Sequence, residues 1–174
     1  MQVRDLTKMS MCVALCCVTA YISFPLPFTP GMVTALTFAL SLTAYLLPPK
    51  QTFTVILIYI LLGAVGLPVF AGGSGLGRLL GPAGGFYFAW LVAYAFLSRF
   101  KGEIPNLKRY FLANLLIAVP ITYAGGLISM ILVLDVNFFE AMTMAVLPFI
   151  PGDILKAFAA AILGVKLQKS LGGR

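Results

Sequence analysis

Met32-Val-Thr-Ala-Leu-Thr-Phe-Ala-Leu-Ser-Leu-Thr-Ala-Tyr-Leu-Leu47, then Pro48-Pro-Lys-Gln51, then Thr52-Phe-Thr-Val-Ile-Leu-Ile-Tyr-Ile-Leu-Leu-Gly-Ala-Val-Gly-Leu67: Lys50 is the sole charge in this stretch. A helix that crosses a bilayer needs about 20 apolar residues. Proline cannot continue a helix interior. The stretch therefore reads as two spanning helices, Met32–Leu47 and Thr52–Leu67, joined by a tight turn at Pro48-Pro49-Lys50.

The same pattern of apolar runs and breaks repeats on either side. The first apolar run covers Leu6 to Phe24, with its charges (Arg4, Asp5, Lys8) before it. No small-x-small cleavage site follows, so it is expected as a retained helix and not a removed signal. Phe24-Pro-Leu-Pro-Phe-Thr-Pro-Gly31 is too rich in proline for helix and is expected as a structured loop. Beyond Leu67, a glycine-rich stretch runs from Val69 to Pro82. The fourth span is expected over Ala83–Ser98, followed by a polar loop, Arg99–Lys108. A fifth follows over Arg109–Leu134, with Pro120 as a kink. Asp135-Val-Asn137 is a turn, and Phe138–Leu147 a short helix at the interface. The sixth span covers Pro151 to Lys166.

Composition agrees. Of 174 residues, 61% are apolar and 10% charged, against about a quarter charged in soluble domains. An ordinary soluble globule and a disordered chain are both excluded. The expectation is an all-α membrane protein, a six-transmembrane-helix bundle occupying residues 1–174 as one polytopic domain. The net charge of +7 is read as topology and not as affinity for nucleic acid. With six spans and a cytoplasmic N-terminus, Arg4, Lys8, Lys50, Arg99, Lys101, Lys108, Arg109, Lys166, Lys169 and Arg174 all lie inside, as the positive-inside rule requires. Both termini are then expected in the cytoplasm of a cell-membrane protein.

The outer side keeps Arg78, Asp153 and Lys156. Ionisable groups at a membrane have partners or a task. Asp153 and Lys156 stand three apart on a new helix and so share a face. Facing the bundle interior, the carboxylate accepts N–H donors of a ligand and the ammonium meets an oxygen. Facing out, they form a headgroup-level ion pair. Gly72-Gly-Ser-Gly-Leu-Gly77-Arg78-Leu79 imitates a phosphate loop but lacks its Lys-Ser/Thr. Its backbone, irregular at membrane depth, can line a cavity. Phe24, Phe28, Phe70, Phe86, Tyr87, Tyr123 and Phe149 cluster on this side as an interfacial belt or a cavity wall. There is no histidine, and Cys12, Cys16 and Cys17 crowd one helix as packing residues, so no metal site and no Ser-His or Cys-His nucleophile can be built. No carboxylate pair suits acid–base catalysis, so no enzyme and no cofactor is expected. In the first helix Ser10 with Ala14, and Cys16 with Ala20, form small-xxx-small pairs that suit close packing in lipid.

Four blocks carry a family resemblance: Pro25-Leu-Pro-Phe-Thr-Pro30, Gly66-Leu-Pro-Val-Phe-Ala-Gly-Gly-Ser-Gly75, Leu80-Gly-Pro-Ala-Gly-Gly-Phe86 and Leu147-Pro-Phe-Ile-Pro-Gly-Asp-Ile-Leu-Lys156. In this order and spacing the chain resembles the BioY family, the biotin-specific S-components of energy-coupling factor (ECF) vitamin transporters. The resemblance covers roughly residues 6 to 167. It implies a six-helix bundle of the S-component type that captures biotin, the transported ligand, from outside. It implies partnership with an ECF module of one transmembrane coupling protein and two ATP-binding subunits. By the same resemblance Asp153 and Lys156 meet the ligand, and the glycine block around Gly72, Gly73 and Ser74 lines the pocket with the first outer loop. Arg78 is expected at the ligand's tail carboxylate, with Phe86, Tyr87 and Tyr123 beside the ligand. Related S-components dock their coupling protein on the small-residue face of the first helix, here Ser10, Ala14 and Ala20. Members of the family often carry Gln where Leu36 stands. An S-component for another small vitamin, a stand-alone secondary transporter and a membrane enzyme remain the alternatives at this point.

Overall fold

Pro48 and Pro49 terminate one helix and start the next. In the computed structural model, which describes residues 3–172, helix α2 (Leu36–Leu46) ends at Leu47 and α3 (Pro49–Ala64) opens with Pro49 in its first turn. There the missing N–H has no intrahelical partner to lose. Before them run α1 (Val3–Tyr21) and an antiparallel hairpin of β1 (Ser23–Pro25) and β2 (Met32–Thr34). After them come a one-turn α4 (Leu76–Leu79), α5 (Gly84–Phe100), α6 (Leu107–Ala113), a π-helical turn (Asn114–Ala118), α7 (Val119–Leu134), α8 (Phe138–Ala145) and α9 (Ile150–Gly172).

The second expected span is thus corrected. Met32–Thr34 leaves the helix and pairs with Ser23–Pro25, in the register Ser23↔Thr34, Phe24↔Val33 and Pro25↔Met32. β-Branched Val33 and Thr34 suit a strand, and Pro25 is tolerated because each strand of a two-stranded sheet is an edge. The 11 residues of α2 then span about 17 Å. The third helix stops at Ala64, three residues short of expectation and ahead of Pro68. The fifth is continuous from Leu107 to Leu134, 28 residues that contain an 18-residue window of mean hydropathy 2.1, and is the one described helix that is by itself long and apolar enough to cross a membrane. Pro120 is accommodated by the π turn just before it, where the widened helix absorbs the missing N–H. The α8–α9 pair is bent by 45° and makes a second candidate as a broken span. Helix α9 continues past Lys166.

Hydrogen bonds show which helix ends meet. Lys101, at the end of α5, donates to the carbonyls of Ala44 (2.8 Å), Tyr45 (2.8 Å) and Leu47 (2.6 Å) at the end of α2. Gln168 of α9 donates to Tyr45 O at 2.6 Å, and Tyr45 stacks on Tyr110 of α6 with ring centroids 4.3 Å apart. Met9 and Cys12 of α1 pack with Leu47 and Val55. The start of α1, the α2–α3 turn, the α5–α6 loop and the end of α9 therefore share one end of the bundle. Arg4, Lys8, Lys50, Arg99, Lys101, Lys108, Arg109, Lys166 and Lys169 all belong to these segments. Arg174 lies outside the described residues. Burial lowers the Lys101 pKa to about 8, and the three carbonyls at the negative end of α2 hold its ammonium. The opposite end carries the hairpin, the glycine-rich loop, the α7–α8 turn and the start of α9.

The tightest crossing is between α5 and α7. A Cβ on Gly85 would fall 2.0 Å from Gly125 O, and one on Gly125 would fall 2.5 Å from Gly85 O. Only glycine at both positions lets the two backbones approach this closely. Ser129 fastens the crossing by donating to Pro82 O at 2.7 Å. On α1, Cys12, Cys16 and Ala20 face inward, Cys16 and Ala20 with no exposed surface. This corrects the placing of Ala20 at a partner surface: an atom with no exposure reaches no other chain. Ser10 and Ala14 are exposed on the opposite face.

Candidate functional site

The start of α9 aims Asp153 and Lys156 inward. Asp153 sits in the first turn, where the helix dipole favours a carboxylate, and its own N–H donates to Phe149 O at 2.8 Å. Lys156 Nζ lies 2.6 Å from Asp153 Oδ1, with the two side chains 19% and 11% exposed. Three elements converge on the pair. Tyr123 of α7 donates to Asp153 Oδ2 at 2.7 Å, and Thr37 of α2 donates to Oδ1 at 3.4 Å. Lys156 donates to the carbonyl of Thr34 in β2 at 3.0 Å. Desolvating an ion pair costs several kcal/mol per ion and is offset only when further hydrogen bonds are made. The fold makes them.

The pair forms part of the wall of a hollow with a cavity volume of about 70 Å3 that opens on its outer side. Its wall is mostly apolar with a few placed polar groups, as the walls of small-molecule sites are. Helix α5 contributes Phe86, Tyr87 and Trp90, α7 contributes Thr122 and Tyr123, and α9 adds Asp153 and Lys156 beside Phe149 just ahead of it. The hairpin closes it with Gly31 and Met32. The hairpin's loop is pinned in place, since Thr29 donates to Met144 O at 2.7 Å and accepts from Gly31 N at 3.1 Å. A smaller void beneath the pair is lined by Ser41, Tyr94 and Asn114.

Of the residues singled out in the sequence, Asp153, Lys156, Arg78, Phe86, Tyr87 and Tyr123 meet at this hollow. Gly72, Gly73 and Ser74 are not among its lining residues. Gly73 closes a tight bridge with Phe70, and Ser74 faces a shallow outer depression beside Arg78. Gly72 acts through Arg78: its carbonyl accepts from Arg78 Nη2, and a Cβ there would lie 2.5 Å from that nitrogen. Gly72 also has φ +77°, which glycine adopts without strain. Arg78 is half-buried and has no carboxylate partner among the described residues. The aromatics divide. Phe24 and Phe28 are exposed, Phe70 is core behind Tyr87, and Phe86, Tyr87, Tyr123 and Phe149 line the hollow. Leu36 is wholly buried away from it, while its neighbour Thr37 faces in. Sequence reasoning missed Thr34, Thr37, Trp90 and Thr122. Nothing in a uniformly apolar helix marks the face that turns inward.

Comparison with known proteins places this geometry. The chain matches the BioY family over residues 1–173. It is 37% identical over 169 residues (97% of this chain, 98% of the other) to a probable biotin transporter BioY of Pyrococcus horikoshii. It is 34% identical over 175 residues (95% and 96%) to the biotin transporter BioY of Thermotoga maritima. Among solved structures it superposes on an S-component for biotin from an ECF-type ABC transporter with a TM-score of 0.89, covering 96% of this chain and 92% of that one at 24% identity. A second S-component of a bacterial ECF transporter gives 0.61 at 21% identity, with 99% and 98% covered. The fold is accordingly that of an all-α membrane S-component. A match along essentially the whole length, with an inward-facing ion pair at the head of the last helix, leaves one assignment: the chain belongs to the BioY family.

Proposed function

We propose that this chain is a membrane subunit that captures biotin from outside the cell, as the substrate-binding S-component of an ECF-type uptake transporter. The observation that carries the reading is the largely buried Asp153–Lys156 pair, braced by Tyr123, Thr37 and Thr34 in the wall of an outward-opening, mostly apolar hollow. Biotin offers a ureido ring with two N–H donors and a carbonyl, an apolar thiophane ring and a carboxylate tail. Asp153 accepts a ureido N–H and Lys156 meets a ligand oxygen. Phe86, Tyr87, Tyr123 and Phe149 cover the apolar ring. Arg78, at the rim and free of a carboxylate partner among the described residues, takes the tail. Gly72, Gly73 and Ser74 serve by shaping the loop that presents Arg78.

The chain performs no chemistry on its ligand and needs no cofactor. Release into the cell is the task of partners: a transmembrane coupling protein and two ATP-binding subunits, met across the exposed Ser10–Ala14 face of α1. Six spans with both termini cytoplasmic suit the gathering of basic side chains at one end. The test is equilibrium binding to detergent-purified protein, with biotin and a panel of other vitamins. Asp153→Asn keeps the shape but removes the charge and replaces an acceptor with a donor. Biotin affinity is expected to fall at least tenfold, since a hydrogen bond to a charged group is worth about 1.5–3 kcal/mol. An unchanged dissociation constant rejects the role of Asp153, and saturable binding of another vitamin in place of biotin rejects the ligand.

A further inference from the structure

Among the described residues, two buried side-chain polar atoms have no hydrogen-bond partner: Trp90 Nε1 and Thr122 Oγ1. Both residues line the hollow, and they are only 7% and 5% exposed. Orphaned polar atoms are uncommon in folded proteins, and each calls for an explanation. Here the two sit on α5 and α7, the helices that cross at Gly85 and Gly125, and they border the same space.

Depth along α5 orders the wall. Ala83 stands at the rim, Phe86 and Tyr87 one turn in, and Trp90 about a further turn down. Trp90 therefore stands at the inner end of that wall, and Asp153 and Lys156 line the same hollow. A carboxylate offers about four acceptor sites. Asp153 fills two on Oδ1 with Lys156 and Thr37, and one on Oδ2 with Tyr123, so about one remains. Lys156 has three N–H groups and uses two, on Asp153 and on Thr34 O. The pair alone therefore presents one acceptor and one donor. A cyclic urea needs two acceptors for its N–H groups and two donors for its carbonyl lone pairs.

We infer that Trp90 and Thr122 complete this set. The Trp90 indole N–H donates to the ligand's ureido carbonyl alongside Lys156, and the Thr122 hydroxyl oxygen accepts the ureido N–H that Asp153 has no room for. This assignment rests on the biotin reading above and adds two specificity-determining residues to it. It makes the floor of the site a four-point match to a urea, with the tail directed to the rim.

The experiment uses the purified full chain and three ligands: biotin, desthiobiotin (urea kept, sulfur absent) and a biotin analogue methylated on a ureido nitrogen. Trp90→Phe keeps an aromatic ring without the N–H, and Thr122→Val keeps the shape without the hydroxyl. Each is expected to weaken biotin and desthiobiotin by the same factor, about 5- to 50-fold. Where the methyl replaces the N–H assigned to Thr122, the Thr122→Val loss shrinks to under about threefold, and where it replaces the other N–H the loss is unchanged. Trp90 is the single tryptophan of the chain, so the indole N–H band in ultraviolet resonance Raman spectra reports this one group. It is expected to move to its hydrogen-bonded position when biotin binds, a change that a purely structural indole does not make. Wild-type binding with unchanged affinity in either variant, or with an unmoved indole band, overturns the assignment alone. Wild-type protein that does not bind biotin overturns the underlying reading and this assignment together.

Discussion

The contact between Gly85 and Gly125 holds the two principal walls of the hollow at their spacing, and Gly85→Ala probes it directly. The added methyl would lie 2.0 Å from Gly125 O, 2.8 Å from Gly125 C and 2.7 Å from Ser129 Oγ. The first two are backbone atoms, which have no rotamer to retreat into. Relieving the contact means separating α5 from α7 by about 1 Å or more, because close-packed interiors transmit such strain. Overpacking of this kind costs about 1–3 kcal/mol, and a backbone obstacle belongs at the upper end. Alanine's better helix propensity offsets up to about 1 kcal/mol. The net loss is about 2 kcal/mol, or about 4–8 °C in Tm for a chain of this size. Moving α5 also moves Phe86, Tyr87 and Trp90 away from Thr122 and Tyr123, so biotin affinity should fall by about tenfold. Thermal unfolding in detergent and a biotin titration read both quantities. Gly77→Ala is the control: nothing lies within 4 Å of its added methyl, and its effect should stay within about 0.5 kcal/mol. A Gly85→Ala protein with wild-type Tm and affinity would refute the claim that this crossing sets the width of the site.

Other residues make separate predictions. Tyr123→Phe removes the donor on Asp153 Oδ2. The buried carboxylate then loses about 1.5–3 kcal/mol, so Tm should drop by about 3–12 °C, and an unchanged melting curve would count against the bond. Arg78→Gln keeps a donor for Gly72 O but loses the charge; it should weaken biotin about tenfold and biotin methyl ester hardly at all. Equal losses for acid and ester would remove Arg78 from the tail. Lys101→Met deletes the three carbonyl contacts at the end of α2. Buried carbonyls left without a donor cost about 1–3 kcal/mol, and relief of the ammonium's desolvation offsets part of this, so Tm should fall by less than about 10 °C while biotin affinity stays as in the wild type. A changed affinity with unchanged Tm would contradict this reading.

How much could be read in advance varies with the range of the interaction. Pro48-Pro49 is a local covalent constraint, and the α2–α3 junction falls on it. Met32–Thr34 joins Met32 to the β-branched Val33 and Thr34 and is compatible with helix or strand. It became strand because Ser23–Pro25, brought alongside by the turn between, offered a pairing edge, which is a non-local fact. The π turn at Asn114–Ala118 sits just ahead of Pro120, so the disruption was legible but not its form. Ser10–Ala14 and Cys16–Ala20 look alike as small-residue pairs. Only the packing of α1 on the bundle buries the second and presents the first.

The sequence by itself determined the membrane class, the segregation of basic residues and the shared face of Asp153 and Lys156. These depend on composition, on which loop a charge occupies, and on a spacing of three residues within one helix. The tertiary structure decided that this face points inward, which aromatics line the hollow, and that Trp90 and Thr122, each with an unpaired polar atom, stand in its wall. The physical reason is that a helix apolar all round carries no amphipathic stripe to mark its inner side. In such a chain the inward face is selected by close contacts, such as that of Gly85 with Gly125, between residues distant in sequence.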